Sequence, residues 1–117
     1  MKILVDTSVW IDHLHKTDPI LVDHLNNSEI LTHPFIIGEL YLGTIKNKEK
    51  FLQELSHFFK ITEATHDEVI YFIQKHSLPG TGIGWIDAHL IASAQISNAK
   101  IYTKDKSLKK IVEKILV

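Results

Sequence analysis

Short apolar runs alternate with longer segments of mixed polarity along this chain. The short runs lie at residues 3–5, 29–32, 59–61 and 100–103; each contains at least two apolar residues and is short enough to form a strand, and the wholly apolar run at 3–5 predicts a buried one. The segments between them repeat apolar residues at three- and four-residue spacing, which predicts helices that pack one face against a sheet. Strands and helices in this order predict an α/β fold with a central, mostly parallel sheet. Residues 115–117 add a predicted edge strand.

Capping residues mark where several helices begin. Asp18 precedes a proline, which favours the first position of a helix. Thr65 stands three residues before Glu68, the spacing of a capping box. Residues 78–84 contain one proline and three glycines, so a loop is predicted there, before the next helix.

Length and composition predict a single globular domain over residues 1–117. Hydrophobic residues make up 44% of the chain and charged residues 23%, as in ordinary soluble domains. The absence of cysteine excludes disulfides and thiolate metal sites. No apolar run approaches the length that spans a membrane, and the N-terminus does not resemble a secretory signal. We therefore expect a cytoplasmic protein.

Positive charge is concentrated near the C-terminus. The formal net charge is −1, and all thirteen basic residues are lysines. Six of them lie within the last eighteen positions: Lys100, Lys104, Lys106, Lys109, Lys110 and Lys114. This cluster has two interpretations, a surface that faces phosphates or the solvated face of an amphipathic helix.

Four acidic residues stand in unusual surroundings. Asp6 ends the first predicted strand, and Asp105 follows the strand at 100–103. Glu39 interrupts an apolar helix, and Asp87 opens an alanine-rich helix after the glycine loop. Ligands of parallel sheets bind beyond the carboxyl ends of the strands, so these acids are placed where a site would form.

Each acid also has a structural explanation. The three aspartates are good helix caps, and Glu39 can pair with a lysine. If Asp6 is a ligand, Ser8 can cap the following helix instead. Together, however, several buried like charges require a cation. Oxygen-only ligands suit Mg²⁺ or Mn²⁺, and the chemistry that such an ion serves best is phosphodiester hydrolysis.

Other common catalytic motifs are missing from the sequence. It contains no His-Glu-x-x-His zinc motif, no Gly-x-Ser-x-Gly elbow and no phosphate-binding glycine loop followed by lysine. His89 lies two residues after Asp87, but a contact with substrate is the less favoured interpretation.

Four motifs occur in a family-specific order. Residues 3–12 read ILVDTSVWID, Glu39 is followed four positions later by Gly43, residues 87–92 read DAHLIA, and residues 103–105 read TKD. In this order and over nearly the whole chain they resemble the PIN-domain ribonucleases, and more closely the VapC toxins of bacterial toxin–antitoxin pairs.

The resemblance implies a three-layer α/β/α fold and a site built from specific residues. It implies that an acidic quartet is catalytic and holds Mg²⁺ or Mn²⁺, and that two threonine hydroxyls orient these carboxylates. Two lysines are expected to contact substrate. In order, these residues are Asp6, Glu39, Asp87 and Asp105, then Thr7 and Thr103, then Lys104 and Lys106.

The resemblance also implies a biological role. It implies an endoribonuclease that cuts specific transfer or ribosomal RNA, inhibits translation, forms a homodimer and is bound by a cognate VapB-type antitoxin. The absence of arginine departs from the usual means of gripping phosphate, because lysine acts only as a point charge. We therefore expect RNA binding to be sensitive to salt.

Two alternatives remain open from the sequence. One is a housekeeping PIN nuclease of RNA processing, which the absence of a neighbouring antitoxin-sized reading frame would favour. The other is a non-catalytic doubly wound module, either a receiver-like domain that binds Mg²⁺ or a degenerate PIN scaffold. A receiver needs a lysine close to its acid pocket, for which Lys104 is the candidate, and paired acids that Met1 and Lys2 do not supply.

Overall fold

The computed structural model describes residues 1–116, and within them four short strands form the centre of the molecule. These are β1 (Ile3–Val5), β2 (Ile30–Thr32), β3 (Phe59–Lys60) and β4 (Lys100–Tyr102). The sheet order is β3-β2-β1-β4, and every pairing is parallel. The sheet predicted from the apolar runs is therefore confirmed.

The order of the strands creates a switch point at β1. From β1 the chain moves to β2 and β3 on one side, and it later returns to place β4 on the other side. Connections on opposite sides leave a crevice beyond the carboxyl ends of β1 and β4, where ligands of such sheets bind. Asp6 directly follows β1 and Thr103 directly follows β4, so both lie at this crevice.

Helices connect the strands in the predicted α/β alternation. Within residues 1–116 they are α1 (Thr7–His15), α2 (Pro19–Asn26), α3 (Pro34–Leu42), α4 (Lys48–Leu55), α5 (His66–Lys75), α6 (Trp85–Ile96) and α7 (Lys106–Ile115). None of these helices is long and apolar enough to cross a membrane. The edge strand predicted over residues 115–117 is wrong at Ile115, which ends α7, while Val117 lies outside the described residues.

The predicted caps account for where two of these helices begin. The Asp18 carboxylate accepts hydrogen bonds from the N–H groups of Ile20 and Leu21. Thr65 and Glu68 form both halves of the capping box. Each such cap stabilises a helix by about 1 kcal/mol, so these local signals hold the ends of short helices in place.

Helix α6 packs deep in the molecule, as its small side chains predict. It is buried at every position from Ala88 to Ala94, and it contacts α5 and β4. Alanine at positions 92 and 94 permits close approach to neighbouring elements, because little side-chain volume intervenes. This packing fixes the first turn of α6, which carries Asp87.

Candidate active site

Asp6 is both a helix cap and a residue of the crevice. It is the N-cap of α1 and only 7% exposed. Its carboxylate accepts hydrogen bonds from the Thr7 N–H at 2.8 Å, the Ser8 hydroxyl at 3.0 Å and the Thr103 hydroxyl at 2.7 Å. The expectation that Ser8 takes over the cap is wrong, because Asp6 keeps that position and the Ser8 hydroxyl donates to it.

The loop between β4 and α7 is fastened to Asp6 through these hydroxyls. The Asp105 N–H donates to the Thr103 oxygen at 3.0 Å, and the Lys104 N–H donates to the Ser8 oxygen at 3.2 Å. Because each hydroxyl oxygen accepts a backbone N–H, its own proton remains directed at Asp6. The network thus orients Asp6 and places the loop that carries Asp105.

Glu39 accepts a hydrogen bond from a hydroxyl at the start of α1. It is partly exposed on α3, and the Thr7 hydroxyl donates to its Oε1 atom at 2.8 Å. Thr7 therefore links Glu39 to α1, next to Asp6. The alternative that Glu39 pairs with a lysine is not what the structure shows, since the ion pairs formed within residues 1–116 do not include it.

The negative charges of the other three acids act on the Asp87 carboxyl. Burial, with added repulsion from Asp6, Asp105 and Glu39, raises the pKa of Asp87 to about 6. Because such repulsion fades with distance, the four carboxylates share one region, hereafter the acidic cluster. Asp87 is not the cap of its helix, since Gly84 occupies that position.

Asp105 is the most open member of the acidic cluster. It is exposed, and its carboxylate caps α7 by accepting from the N–H groups of Ser107 and Leu108. The capping interpretation is therefore correct for Asp105. Capping leaves the second carboxylate oxygen, Oδ2, without a hydrogen bond from within residues 1–116.

The donor set fits a hard divalent cation by its charge and chemistry. The cluster supplies only carboxylate oxygens, and within residues 1–116 none of its members is neutralised by an ion pair. Over the same residues, no three acidic, histidine or cysteine side chains stand together as a ready-made ligand group. Mg²⁺ commonly takes only one or two protein carboxylates and keeps several waters, so direct contact with all four acids is not required.

Lys104 and Lys106 lie close in sequence but have different surroundings. The Lys104 ammonium lies 3.3 Å from Asp18 and 3.4 Å from Asp12. These carboxylates outweigh the effect of burial and raise the pKa of Lys104. Lys106 is exposed at the start of α7 and enters no ion pair within the described chain. The substrate contacts predicted for both lysines stay predictions.

Asp18, which forms an ion pair with Lys104, is itself part of a buried hydrogen-bond network. Asp18 is 6% exposed, and the Tyr102 hydroxyl donates to it at 2.6 Å. Burial acts to raise the pKa of Asp18, but the hydrogen bonds from Tyr102, Leu21, Lys104 and Ile20 lower it overall. Lys104 therefore lies against Asp12 and Asp18 rather than against the acidic cluster, which weighs against the receiver-like alternative.

Sequence reasoning missed Ser8 as a partner of Asp6. Its position two residues after Asp6 is the available signal, since a side chain at this spacing reaches back to a helix cap. His89, in contrast, is 6% exposed and packs among aromatic rings. The structure therefore supports the view that His89 does not face substrate.

Comparison with known proteins identifies the family. A family model described as the PIN domain matches residues 3–114. The chain belongs to the PIN-domain family. This PIN-domain protein is 44% identical over 108 residues to Ribonuclease VapC32 from two strains of Mycobacterium tuberculosis, a match that covers 92% of this chain and 87% of each relative. The resemblance to VapC ribonucleases is thereby confirmed, and the enzyme class is endoribonuclease.

A solved structure supports the fold of this PIN-domain protein. The crystal structure of PAE2754 from Pyrobaculum aerophilum superposes with a TM-score of 0.64 at 18% identity, and the match covers 98% of this chain and 89% of that one. At this identity the likeness concerns the fold alone. It confirms the expected arrangement of a parallel sheet between helices, and membership of the PIN-domain family excludes the receiver-like module.

Proposed function

We propose that this protein is an endoribonuclease that depends on Mg²⁺ or Mn²⁺ and acts as the toxin of a toxin–antitoxin pair. The observation that carries the proposal is the acidic cluster at the carboxyl edge of the sheet, whose charges, together with burial, hold the pKa of Asp87 at about 6. Like charges gathered in this way bind a divalent cation favourably. The relatives named as VapC ribonucleases support RNA as the substrate class.

Asp6, Glu39, Asp87 and Asp105 would hold the cation. A bound divalent ion supplies positive charge that activates water and stabilises the charge developing on the phosphate. Thr7, Ser8 and Thr103 keep the first two carboxylates oriented through their hydroxyls. With a pKa of about 6, the Asp87 carboxyl is ionised at neutral pH and is available as a ligand.

The substrate is proposed to be a specific transfer or ribosomal RNA whose cleavage inhibits translation. Lys106 is the exposed cation nearest in sequence to Asp105 on its C-terminal side and is suited to contact a phosphate. Lys104 is suited less well, because Asp12 and Asp18 already hold its ammonium. The proposed partners are a cognate VapB-type antitoxin and a second copy of the chain, and the proposed location is the cytoplasm.

Growth inhibition tests the toxin role. Expression of the protein alone should slow the growth of a bacterial host, and Asp6→Asn at the same protein level should not. Asn keeps the size of the side chain and its capping oxygen, while it removes the charge. Co-expression of a small antitoxin from a neighbouring reading frame should restore growth. Equal growth with wild type and Asp6→Asn would contradict the toxin role.

A further inference from the structure

One of the two tryptophans is exposed at the start of α6, the helix that carries Asp87. Trp10 lies in the core and is 3% exposed, whereas Trp85 is 41% exposed at the first position of α6. Asp87 follows two residues later in the same helical turn, so the two backbones are close although the two side chains lie on different faces of α6. Large exposed aromatic rings are typical of binding surfaces rather than of solvated ones.

Two histidine rings pack against the Trp85 indole. The His66 ring lies 5.2 Å from Trp85 at an interplanar angle of 46°, and the buried His89 ring meets it edge-on at 5.1 Å. His89 in turn packs edge-on against Phe35 at 4.6 Å. Since these contacts restrict rotation of the indole, Trp85 presents its open surface in a fixed orientation.

A small apolar cavity adjoins the indole. Its volume is about 190 Å³, and its lining includes Ile73, Leu78, Ile83, Trp85 and Ala88. The loop that closes it turns through Gly80 and Gly82, both with the positive φ that glycine allows. Pockets for drug-sized ligands begin at about 300 Å³, so this cavity suits a single flat ring system.

We propose that Trp85 and the adjoining cavity receive one unpaired base of the RNA substrate, outside the acidic cluster itself. Proteins bind unpaired bases by stacking them on aromatic rings or on arginine planes, and this chain contains no arginine. The cavity offers apolar walls to the base, and one member of the acidic cluster, Asp87, lies in the same turn of α6. The inference rests on the proposed RNA cleavage and names a determinant of its substrate recognition.

Fluorescence of Trp85 tests base stacking without catalysis. Trp10→Phe leaves Trp85 as the sole tryptophan, and EDTA prevents metal-dependent cleavage. At low salt, single-stranded A, C, G and U oligonucleotides should quench its emission saturably, and an RNA duplex of equal length should quench it far less. If single strands bind, as judged by anisotropy of labelled RNA, without any change in Trp85 emission, the inference is overturned.

Kinetics test the same inference during cleavage. Trp85→Ala should raise KM for a cleavable RNA by about 5- to 100-fold, the range expected when one base stack is removed, with kcat within about twofold of wild type. Trp85→Phe should retain most of the affinity. Tyr71→Ala, which removes an aromatic ring exposed on α5 away from this cavity, is the matched control and should leave KM unchanged.

Two further results would overturn the inference. If Trp85→Ala keeps the wild-type KM and changes only the oligomeric state on gel filtration, this surface joins copies of the chain and does not bind RNA. If wild type cuts RNA but Tyr71→Ala and Trp85→Ala alter KM equally, no base site exists at Trp85. If wild type neither binds nor cuts any RNA, the proposed function fails together with this inference.

Discussion

The hydroxyl of Thr103 donates a 2.7 Å hydrogen bond to the carboxylate of Asp6, across 97 positions of the chain. The same hydroxyl oxygen accepts the backbone N–H of Asp105 at 3.0 Å. One buried side chain therefore supports two members of the acidic cluster, and a change at Thr103 tests their arrangement without removing either acid.

Thr103→Val keeps the shape of the side chain and removes its hydroxyl. Asp6 then loses a donor and the Asp105 N–H loses its acceptor. Because loss of a group that orients a ligand commonly lowers activity 10- to 100-fold, RNA cleavage at saturating Mg²⁺ should fall by roughly that factor. Thr103→Ser restores the hydroxyl and should keep most of the activity. A Thr103→Val enzyme that cleaves at the wild-type rate would show that this bond is dispensable.

Asp87→Asn should stabilise the metal-free protein at neutral pH. Burial and the repulsion of the neighbouring acids raise the folded-state pKa of Asp87 to about 6, above its ordinary value of 3.8, so the folded protein binds this proton more tightly than the unfolded chain does. The ionised carboxylate therefore opposes folding above about pH 6, and this effect disappears as the pH falls toward 4. After allowance for solvent screening, the gain at pH 7.5 is about 1–2 kcal/mol.

Thermal unfolding of Asp87→Asn and wild type in EDTA tests whether the ionised Asp87 carboxylate destabilises the folded protein. The variant should have the higher Tm at pH 7.5, and the difference should shrink at pH 4.5. Addition of Mg²⁺ should raise the Tm of wild type more than that of the variant, because the ion binds the folded state through the acidic cluster. A variant less stable than wild type at pH 7.5 in EDTA would contradict the repulsion described at Asp87.

Lys106→Gln should weaken RNA binding in a salt-dependent manner. Removing one lysine from a phosphate of a single strand reduces the steepness of log K against log salt by about 0.7. Titrations of a single-stranded RNA at several salt concentrations measure this slope. Lys50→Gln, which removes an exposed lysine on α4, serves as the control. A slope that Lys106→Gln leaves unchanged would exclude Lys106 from RNA binding.

Lys104→Gln should lower the stability of the folded protein rather than weaken RNA binding. Its ammonium lies between Asp12 and the buried Asp18, so the substitution leaves Asp18 with fewer partners and should lower the Tm. The salt slope of RNA binding should stay near that of wild type. A normal Tm combined with a reduced salt slope would assign Lys104 to RNA and reverse the roles given to the two lysines.

Short stretches of sequence predicted most of the strands and helices, because the apolar runs and caps that define them lie within a few residues of each other. The apolar run at β1 and the caps at Asp18 and Thr65 act within a few residues, so sequence spacing reveals them. The predicted strand at the C-terminus is wrong at Ile115, since the helical spacing of Leu108, Ile111 and Val112 continues α7 to that residue.

Long-range contacts were less accessible to sequence reasoning. The acids of the cluster could be selected because they follow strands or interrupt apolar segments. The bond between the Lys104 N–H and the Ser8 oxygen joins residues 96 positions apart, and only the placement of β4 beside β1 brings them together. The pairing of the Lys104 ammonium with Asp18 similarly depends on how α2 packs, which the pattern of apolar residues does not specify.

Cleavage of total RNA by purified protein tests the central claim most directly. Wild type, Asp6→Asn and Lys50→Gln are incubated with RNA in Mg²⁺ and in EDTA, and the new RNA ends are mapped. We expect discrete cuts with wild type and Lys50→Gln in Mg²⁺, none in EDTA, and none with Asp6→Asn, whose folding is checked by its Tm. Equal cleavage by Asp6→Asn, or by wild type in EDTA, would contradict a metal-dependent nuclease site at the acidic cluster.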